Sequence, residues 1–445
     1  MLEILRHRSF RHLFLAQVVA LVGTGLLTVA LALLAYDLAG ANAGAVLGTA
    51  LAIKMIVYVT LSPVAGAVVP AAWRKRVLVG LDLIRAAVAL LLPFVTEIWQ
   101  VYVLIALLQS ASACFTPLFQ SLIPQILPEE SDYTRALSLS RLAYDLESLL
   151  SPALAAALLV VISFHGLFAG TSVGFVLSAL LVMSTAFPVV PETRLGDGPY
   201  SRALRGMRIY LHTPRLRGLL ALNLCAASGA SMVFVNTVVL VREVLGGGER
   251  EVAWALAAFG AGSMAVAFSL PTLLDRMADR RIMLSAASAM VVVLLAVTGV
   301  WWSTGGLGWA SLIPAWVVLG MSYAGLVTPG GRLLRRSAQS DDLPFLFAAQ
   351  FSLSHLCWLL AYPLAGWLGA RLGFGVALSA LSAMAAVGGA LAWRTWPRQD
   401  PDVIAHHHAD LSTDHPHWNE YALGGGGRTH KHRFVIDELH QRWPH

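Results

Sequence analysis

The sequence predicts an all-α membrane protein with twelve transmembrane helices in two six-helix bundles and a His-rich tail on the cytoplasmic side. Hydrophobic residues fill 57% of the 445 positions and charged residues only 13%, about half the charged fraction of ordinary soluble proteins. The apolar residues form long uniform runs, and arginines gather between the runs. Because lipid offers the backbone no hydrogen-bond partners, such runs are expected to be spanning helices.

Twelve runs are long enough to cross the hydrocarbon core, which takes about 20 helical residues. They lie at 13–36, 44–68, 77–95, 101–123, 137–162, 166–187, 218–241, 252–274, 282–302, 309–328, 344–368 and 375–396. The strands of a membrane barrel would alternate apolar and polar residues, and these runs do not. The first run is longer than the roughly 7–15 apolar residues of a signal peptide, so we expect it to be retained as the first helix.

The basic residues predict the orientation. If the chain starts inside and its loops alternate, the outside loops hold only Arg242, Arg250 and Arg371, and the inside loops hold the remaining clusters, such as Arg74-Lys75-Arg76. Loops rich in Lys and Arg stay in the cytoplasm. Twelve spans with both termini cytoplasmic fit this pattern, and a count shifted by one would break it.

Four regions follow from this layout. They are a bundle at 1–187, a cytoplasmic central loop at 188–217, a second bundle at 218–396 and a tail at 397–445. The central loop carries six arginines against two acids: Arg194, Arg202, Arg205, Arg208, Arg215 and Arg217, with Glu192 and Asp197. In a chain this apolar, we attribute the net charge of +6 to retention of loops on the inside and not to nucleic-acid binding.

Ionisable residues within the spans are the candidate site residues, because charge at membrane depth is costly and usually faces the bundle interior. Lys54 lies mid-span with no carboxylate at helical spacing, so it is either a cavity residue or half of an ion pair between helices. Asp82 and Arg85 are three apart and can pair on one helix face. We interpret them first as a structural pair, with a cavity role as the alternative.

Span five and span eleven complete the candidate cavity set. Arg141 and Asp145 can neutralise each other at a spacing of four, which leaves Glu147 either to carry a proton or cation, or to be solvated near the cytoplasmic edge. On span eleven, His355 and Tyr362 share a face with Ser352. Histidine titrates near neutral pH and binds transition metals. The alternative is a buried histidine that only bonds a serine.

The tail has its own composition. Nine of the fourteen histidines lie after position 396, with several acids and no cysteine. Imidazole with carboxylate suits nickel, cobalt, zinc or copper(II), and short His-rich tracts are typical metal binders. The candidate metal ligands are His406, His407, His408, His415, His417, His430 and His432. The alternative is a solvated tail or the remnant of a purification tag. The last stretch, 434–443, is expected to form a short amphipathic helix.

Six spans, a basic loop and six more spans resemble the major facilitator superfamily over residues 1–396. The family motif Gly-x-x-x-Asp-Arg-x-Gly-Arg-Arg after span two keeps only its basic end here, at Arg74-Lys75-Arg76. More specific stretches are similar to bacterial nickel-resistance exporters of the NreB type. They are FTPLFQSLIP at 115–124, DYTRALSLSRLAYDLESLLSP at 132–152, TPGGRLLRRS at 328–337, FAAQFSLSHLCWLLAYPLAGWLG at 347–369, and the tail segments HHH, HPHW and HRFVIDELHQRWP.

This resemblance implies a secondary active exporter in the bacterial inner membrane that removes nickel or cobalt from the cytoplasm in exchange for protons. Its expected partners are the lipid bilayer, a divalent metal ion and protons, and we expect a monomer. The metal is cargo and not a resident cofactor. One alternative is an exporter of drugs or siderophores with an incidental or regulatory tail. Another is a metal sensor whose helices only anchor the tail.

The sequence gives no support to an enzyme. It contains no phosphate-binding Gly-Lys-Ser/Thr loop, which an ATP-driven pump would need, and no nucleophile elbow. We therefore expect no ATP coupling, no nucleic-acid partner and no cofactor.

Overall fold

The computed structural model describes residues 2–69, 73–127, 129, 132, 136, 139–140, 143–144, 147, 151, 153–185, 199–339, 342–407, 429–437, 439–440 and 443. Its first half contains α1 (Arg8–Ala39), α2 (Ala43–Val68), α3 (Arg74–Leu91), α4 (Ile98–Ile126), the helical residues 153–158 and α5 (Phe164–Met183). A helix α6 (Pro199–His212) follows.

The second half contains α7 (Pro214–Val239), α8 (Glu249–Arg276), α9 (Asp279–Thr304), α10 (Trp309–Val327), α11 (Gly330–Arg336), α12 (Leu343–Pro363), α13 (Gly369–Leu372) and α14 (Phe374–Thr395). Wider π-helical turns continue α7 at Leu240–Val244 and α12 at Leu364–Leu368.

These helices confirm the all-α membrane class. Ten stretches of the described residues are long and apolar enough to cross a membrane, and the first, Arg8–Leu61, holds both α1 and α2. They match every predicted span except the fifth, 137–162, of which the described residues cover only a part. The count of twelve therefore stays a prediction.

The helices pack within two sets that meet along a narrow seam. In the first half α1 and α3 pack on α5, and α2 packs on α4. In the second half α8 packs on α10, and α7 packs on α14. The two sets meet mainly where α2 contacts α12 and the π-turn at Leu364–Leu368.

Glycines set the distance between the two sets along that seam. A Cβ placed on Gly48 would lie 2.7 Å from the carbonyl oxygen of Tyr362, and one on Gly366 would overlap the backbone of Gly44. Only glycine allows backbones to approach this closely. The seam is therefore built for direct helix contact near the start of α2.

The predicted central loop contains the helix α6, which lies against α12. The Tyr210 hydroxyl donates to Gln350, and Arg205 forms an ion pair with Asp342 at 2.7 Å. Tyr210 is fully buried. Side-chain contacts thus fix the described part of this loop on the second half of the protein.

The described part of the tail is a two-stranded antiparallel ribbon docked on the helices. Strand β1 (Val403–His407) pairs with β2 (Thr429–Arg433), in a register that sets Ile404 opposite His432 and His406 opposite His430. After β2, Phe434 and Ile436 are buried in the same hydrophobic core as α7, α9, α10 and α14. The docked ribbon is hence continuous with the second half.

The prediction of an amphipathic helix at 434–443 is wrong for the residues of that stretch that the structure describes. Phe434, Val435 and Ile436 are all buried and not helical. The Asp437 carboxylate then accepts hydrogen bonds from the backbone N–H groups of Leu439 and His440 at 2.9 and 2.7 Å. An aspartate that bonds the backbone two and three residues ahead favours a turn over a helix.

Candidate transport site

Lys54 and Tyr58 form the first part of the candidate site, in the middle of α2. Lys54 is half-buried, and its ammonium lies 5.6 Å from the centroid of the Tyr58 ring, one helical turn away. Within the described residues Lys54 makes no direct ion pair, and the carboxylate whose charge acts on it is Glu147. The lysine is therefore held by a cation–π contact and a longer-range attraction.

Glu147, on the fifth predicted span, lies against α1 and is half-buried. The Ser151 hydroxyl donates to its Oε1 atom at 3.4 Å. A Cβ placed on Gly25 of α1 would overlap the Ser151 side chain and come within 3.1 Å of the same Oε1 atom. The missing side chain at Gly25 thus makes the room in which this carboxylate lies.

His355 belongs to α12 and faces the same region from the second half. Its Nδ1 atom lies 2.6 Å from the Phe351 carbonyl oxygen. A carbonyl only accepts, so Nδ1 donates this hydrogen bond. The hydrogen-bond partner of Nδ1 is therefore this backbone carbonyl. The alternative in the sequence analysis was a serine.

Tyr58 joins the two halves at this level. Its ring centroid lies 5.3 Å from that of His355 and 5.8 Å from that of Phe351, with the Phe351 ring stacked. The sequence analysis did not single out Tyr58. The available signal was its position four residues after a mid-span lysine, which places both on one helix face. Tyr58 is the described side chain through which Lys54 and His355 are linked.

Tyr362 is buried in an aromatic cluster two turns farther along α12, away from Lys54 and Glu147. Its ring centroid lies 5.0 Å from that of Trp358. Further pairs, 5.4 to 6.4 Å apart, extend the cluster across α7, α8 and α10. The aromatic cluster comprises Phe234, Phe259, Tyr323, Trp358 and Tyr362.

Asp82 and Arg85 form a closed ion pair on α3. They pair directly within α3, and Ser178 of α5 donates to the second oxygen of Asp82 at 2.8 Å. The Arg85 guanidinium lies between the rings of Phe115 and Phe175, at 4.1 and 4.5 Å. Both residues are buried, with 0% of Asp82 and 4% of Arg85 exposed. The geometry fits the structural interpretation of this pair. Arg141 and Asp145 lie outside the described residues.

The docked tail is held by a charge cluster at the end of the bundle where α7 and α9 begin and α11 and α14 end, called here the basic end. Arg215, 1% exposed, donates to Asp402 at 2.8 Å, and its guanidinium lies 5.2 Å from the Trp443 ring. Arg336 donates to Asp402 and, at 2.7 Å, to Asp279.

Asp402 is the centre of this cluster. Partial burial alone would raise the pKa of its carboxyl, but the hydrogen bonds from Arg336 and Arg215 outweigh burial and hold the pKa below its ordinary value. The tail is therefore anchored by an ionised carboxylate directly before β1.

Four of the seven predicted metal ligands belong to the two ribbon strands. The backbone of His406, His407, His430 and His432 is described, and their side chains are not; His408, His415 and His417 lie outside the described residues. Among the residues that are described in full, no group of three His, Cys, Asp or Glu side chains has a geometry that could hold a metal ion.

A shallow apolar cavity of about 300 Å³ lies elsewhere, against α8. Its lining carries no charged group, and Trp254 on its edge is 68% exposed. The lining residues are Ala156, Ala157, Val160, Trp254 and Ala257. The Lys54–Tyr58–Glu147–His355 cluster, which holds ionisable groups from both halves, remains the candidate transport site.

Comparison with known proteins gives the family. The family model described as Major Facilitator Superfamily matches residues 13–313. A relative in Bacillus subtilis, the uncharacterized MFS-type transporter YfiS, is 24% identical over 326 residues, which cover 71% of this chain and 77% of that protein. Macrolide efflux protein A of Streptococcus pyogenes is 26% identical over 194 residues, 42% of this chain and only 46% of that protein.

Solved structures show the same fold at low sequence identity. The nucleoside transporter NupG superposes with a TM-score of 0.63 at 12% identity, over 86% of this chain and 98% of that chain. A D-xylose-proton symporter superposes with a TM-score of 0.60 at 14% identity, over 88% and 97%. With a family model over most of its length and this fold, the chain is a multi-pass membrane transporter and belongs to the major facilitator superfamily.

Proposed function

We propose that this transporter is a secondary active exporter of divalent nickel or cobalt, which removes the metal from the cytoplasm across the bacterial inner membrane in exchange for protons. The proposal includes both termini in the cytoplasm, a monomer, and a proton gradient in place of ATP as the driving force. It rests first on the tail, and then on the charged groups between the two halves.

The observation that carries the proposal is the pairing of the two His-rich tracts. His406 and His430 occupy paired positions of the ribbon, and His432 follows at the next position on the same face. Paired positions in an antiparallel ribbon have Cα atoms about 4.5–5.5 Å apart. Histidines at such positions are suited to sharing one nickel or cobalt ion.

The place where the ribbon docks supports a role in capture. It lies at the basic end, beside Arg215, Arg336 and Arg280. The positive-inside rule assigns an arginine-rich end to the cytoplasm. The tail would then gather metal on the side from which it is removed.

The candidate transport site supports proton-coupled alternating access. Lys54, Tyr58 and Glu147 belong to one half, and His355 belongs to the other. When two half-bundles rock about a central site, contacts that cross between them open on one side at a time. In this scheme Glu147 carries the proton, since a carboxylate at membrane depth is the common proton relay.

A second candidate function is export of an organic drug. It is favoured by the aromatic cluster defined above, whose rings could stack on a planar or amphipathic compound. The similarity to Macrolide efflux protein A also favours it. In that case resistance would follow the drug and not the metal.

Growth and metal accumulation in a metal-sensitive bacterial host test the two functions. We expect the full chain to raise tolerance and to lower cell-associated metal for nickel or cobalt, with no gain against zinc or a hydrophobic drug panel. Drug tolerance without any metal effect would refute metal export and leave the second candidate function standing.

Two tail variants sharpen the test. One stops after Arg398 and loses the anchor at Asp400 and Asp402 as well as the histidines. The other changes His406, His430 and His432 to alanine and keeps the anchor. If the tail captures metal, both variants need more external nickel to show export. If only the truncated chain needs more external nickel, the tail acts through its docking and the capture role is refuted. Wild-type export by the truncated chain would rule out a metal sensor.

A further inference from the structure

The charges of Lys54 and Glu147 attract each other but are not in contact. The Lys54 ammonium lies over the Tyr58 ring, and the Glu147 carboxylate accepts from Ser151 at 3.4 Å. Within the described part of the chain neither side chain makes a direct ion pair. The structure therefore has an anionic site whose built-in cation is held to one side.

A buried carboxylate needs a proton, a cation or a set of hydrogen bonds to offset its lost hydration. Glu147 has one long hydrogen bond to Ser151 among the described contacts. Lysine has a compact charge on a flexible four-carbon stem. A stem of this kind lets the ammonium change position, and the Glu147 carboxylate is the negative charge that acts on it.

We propose that Lys54 is a built-in competitor of the cargo for Glu147. The Lys54 ammonium, a proton and a cationic cargo occupy the Glu147 carboxylate in turn and exclude one another, and the Tyr58 ring is the resting place of the ammonium while cargo is bound. This inference deepens the proposed function and rests on it.

The competition accounts for a lysine inside a cation exporter. A lysine fixed beside the cargo would only repel it. A lysine that moves on to Glu147 as the cargo leaves helps release, and it neutralises the carboxylate until a proton takes its place. The same logic sets the chemical class of the cargo as a cation, either a metal ion or an organic cation, because an anionic compound could not replace the ammonium at a carboxylate.

Transport of radioactive nickel into everted membrane vesicles tests the competition, with the full chain and the variants Lys54→Gln, Lys54→Arg and Glu147→Gln. We expect Lys54→Gln to lower the KM for nickel by about tenfold, which is 1.4 kcal/mol of binding. Lys54→Arg should raise the KM, since a guanidinium is always charged and binds carboxylate through two hydrogen bonds. Glu147→Gln should abolish saturable uptake.

Opposite effects of the glutamine and arginine variants on KM cannot come from misfolding, which lowers the maximal rate. The inference would be overturned if wild type, Lys54→Gln and Lys54→Arg had equal KM values, or if Lys54→Gln raised the KM. Either result would leave nickel export intact. If nickel is not transported at all, the proposed metal function fails, and the same series is run with the organic cation tetraphenylphosphonium. The same order of KM values there would sustain the competition, and transport of neither cation would refute it.

Discussion

Among the described residues of the first half, two pairs of opposite charges are built in different ways. Asp82 and Arg85 lie three residues apart on one helix, in direct contact, with Ser178 and two phenylalanine rings around them. Lys54 and Glu147 lie on different elements, and each has a neutral neighbour instead of the other. One pair is closed, and the other is open.

This difference separates structure from transport. Two groups on one helix move together when half-bundles rock, so the Asp82–Arg85 pair has the same geometry in every state. Groups on different elements can part and exchange partners, and one of them, Lys54, is joined through Tyr58 to His355 of the other half. A charge can take part in a transport cycle only if its partner can change.

The largest expected effect comes from breaking the closed pair. Asp82→Asn leaves the Arg85 guanidinium buried without a counter-charge, which typically costs about 3–5 kcal/mol. We expect a large fall in folded protein and in thermal stability, measured by size-exclusion chromatography with a heating series. The double variant Asp82→Leu with Arg85→Met is the matched control, because removing both charges is often close to neutral. If the single variant is as stable as wild type, the pair is not structural.

Glu147→Gln should have the reverse profile. The glutamine keeps the shape and the contact with Ser151 but removes the negative charge, so we expect normal thermal stability with loss of proton-coupled export. A fall in export rate of about tenfold or more corresponds to about 1.4 kcal/mol. The measurement is proton release from acidified everted vesicles on addition of nickel, beside the heating series. A variant that loses stability and transport together would make the open pair structural as well.

The sequence predicts the helical fold well, because a run of some twenty apolar residues has few structural solutions in lipid. It also predicts the Asp82–Arg85 ion pair, since a spacing of three fixes two side chains on one helix face. Contacts between distant segments are beyond such local rules. Tyr58 acquires its role only when α12 places His355 and Phe351 beside it. Likewise, Arg215 and Asp402 are 187 positions apart, so nothing local predicts their contact.

The tail shows how a local rule fails. The stretch from Phe434 is apolar and charged in an order that would suit an amphipathic helix. However, Phe434 donates its backbone N–H to the backbone carbonyl oxygen of Asp402 at 2.9 Å and is buried in the core of the second half. Burial against a neighbouring segment, which sequence periodicity does not report, decided its conformation.

Gly25→Ala tests whether the space around Glu147 matters. The new methyl group would overlap Ser151 and crowd the Glu147 carboxylate, and overpacking of this kind costs about 1–3 kcal/mol. We expect a several-fold loss of export at a modest cost in thermal stability. Gly80→Ala on α3 is the matched control, because a methyl group there meets no atom within 4 Å. Equal export by the two variants would mean that the position of Glu147 is not critical.

The smallest expected effect is on the tail. There the ion pairs of Asp402 hold a docked segment in place and do not stabilise the core of the protein. Because Arg336 and Arg215 keep the pKa of Asp402 below its ordinary value, the anchor is fully present above about pH 4, the ordinary aspartate pKa, and is lost as the pH falls through the lower value of the docked state. Asp402→Asn should weaken the docking of the tail at every pH. Hydrogen exchange of the 403–407 and 429–433 strands measures this, with Val435 and Ile436 as the probe of undocking. Relative to the intrinsic amide rate at each pH, we expect a few-fold faster exchange in Asp402→Asn and in wild type at acid pH, while α1 to α5 stay unchanged. If exchange in these strands is the same in Asp402→Asn as in wild type, the buried apolar residues alone hold the tail, and the charge cluster at the basic end only orients it.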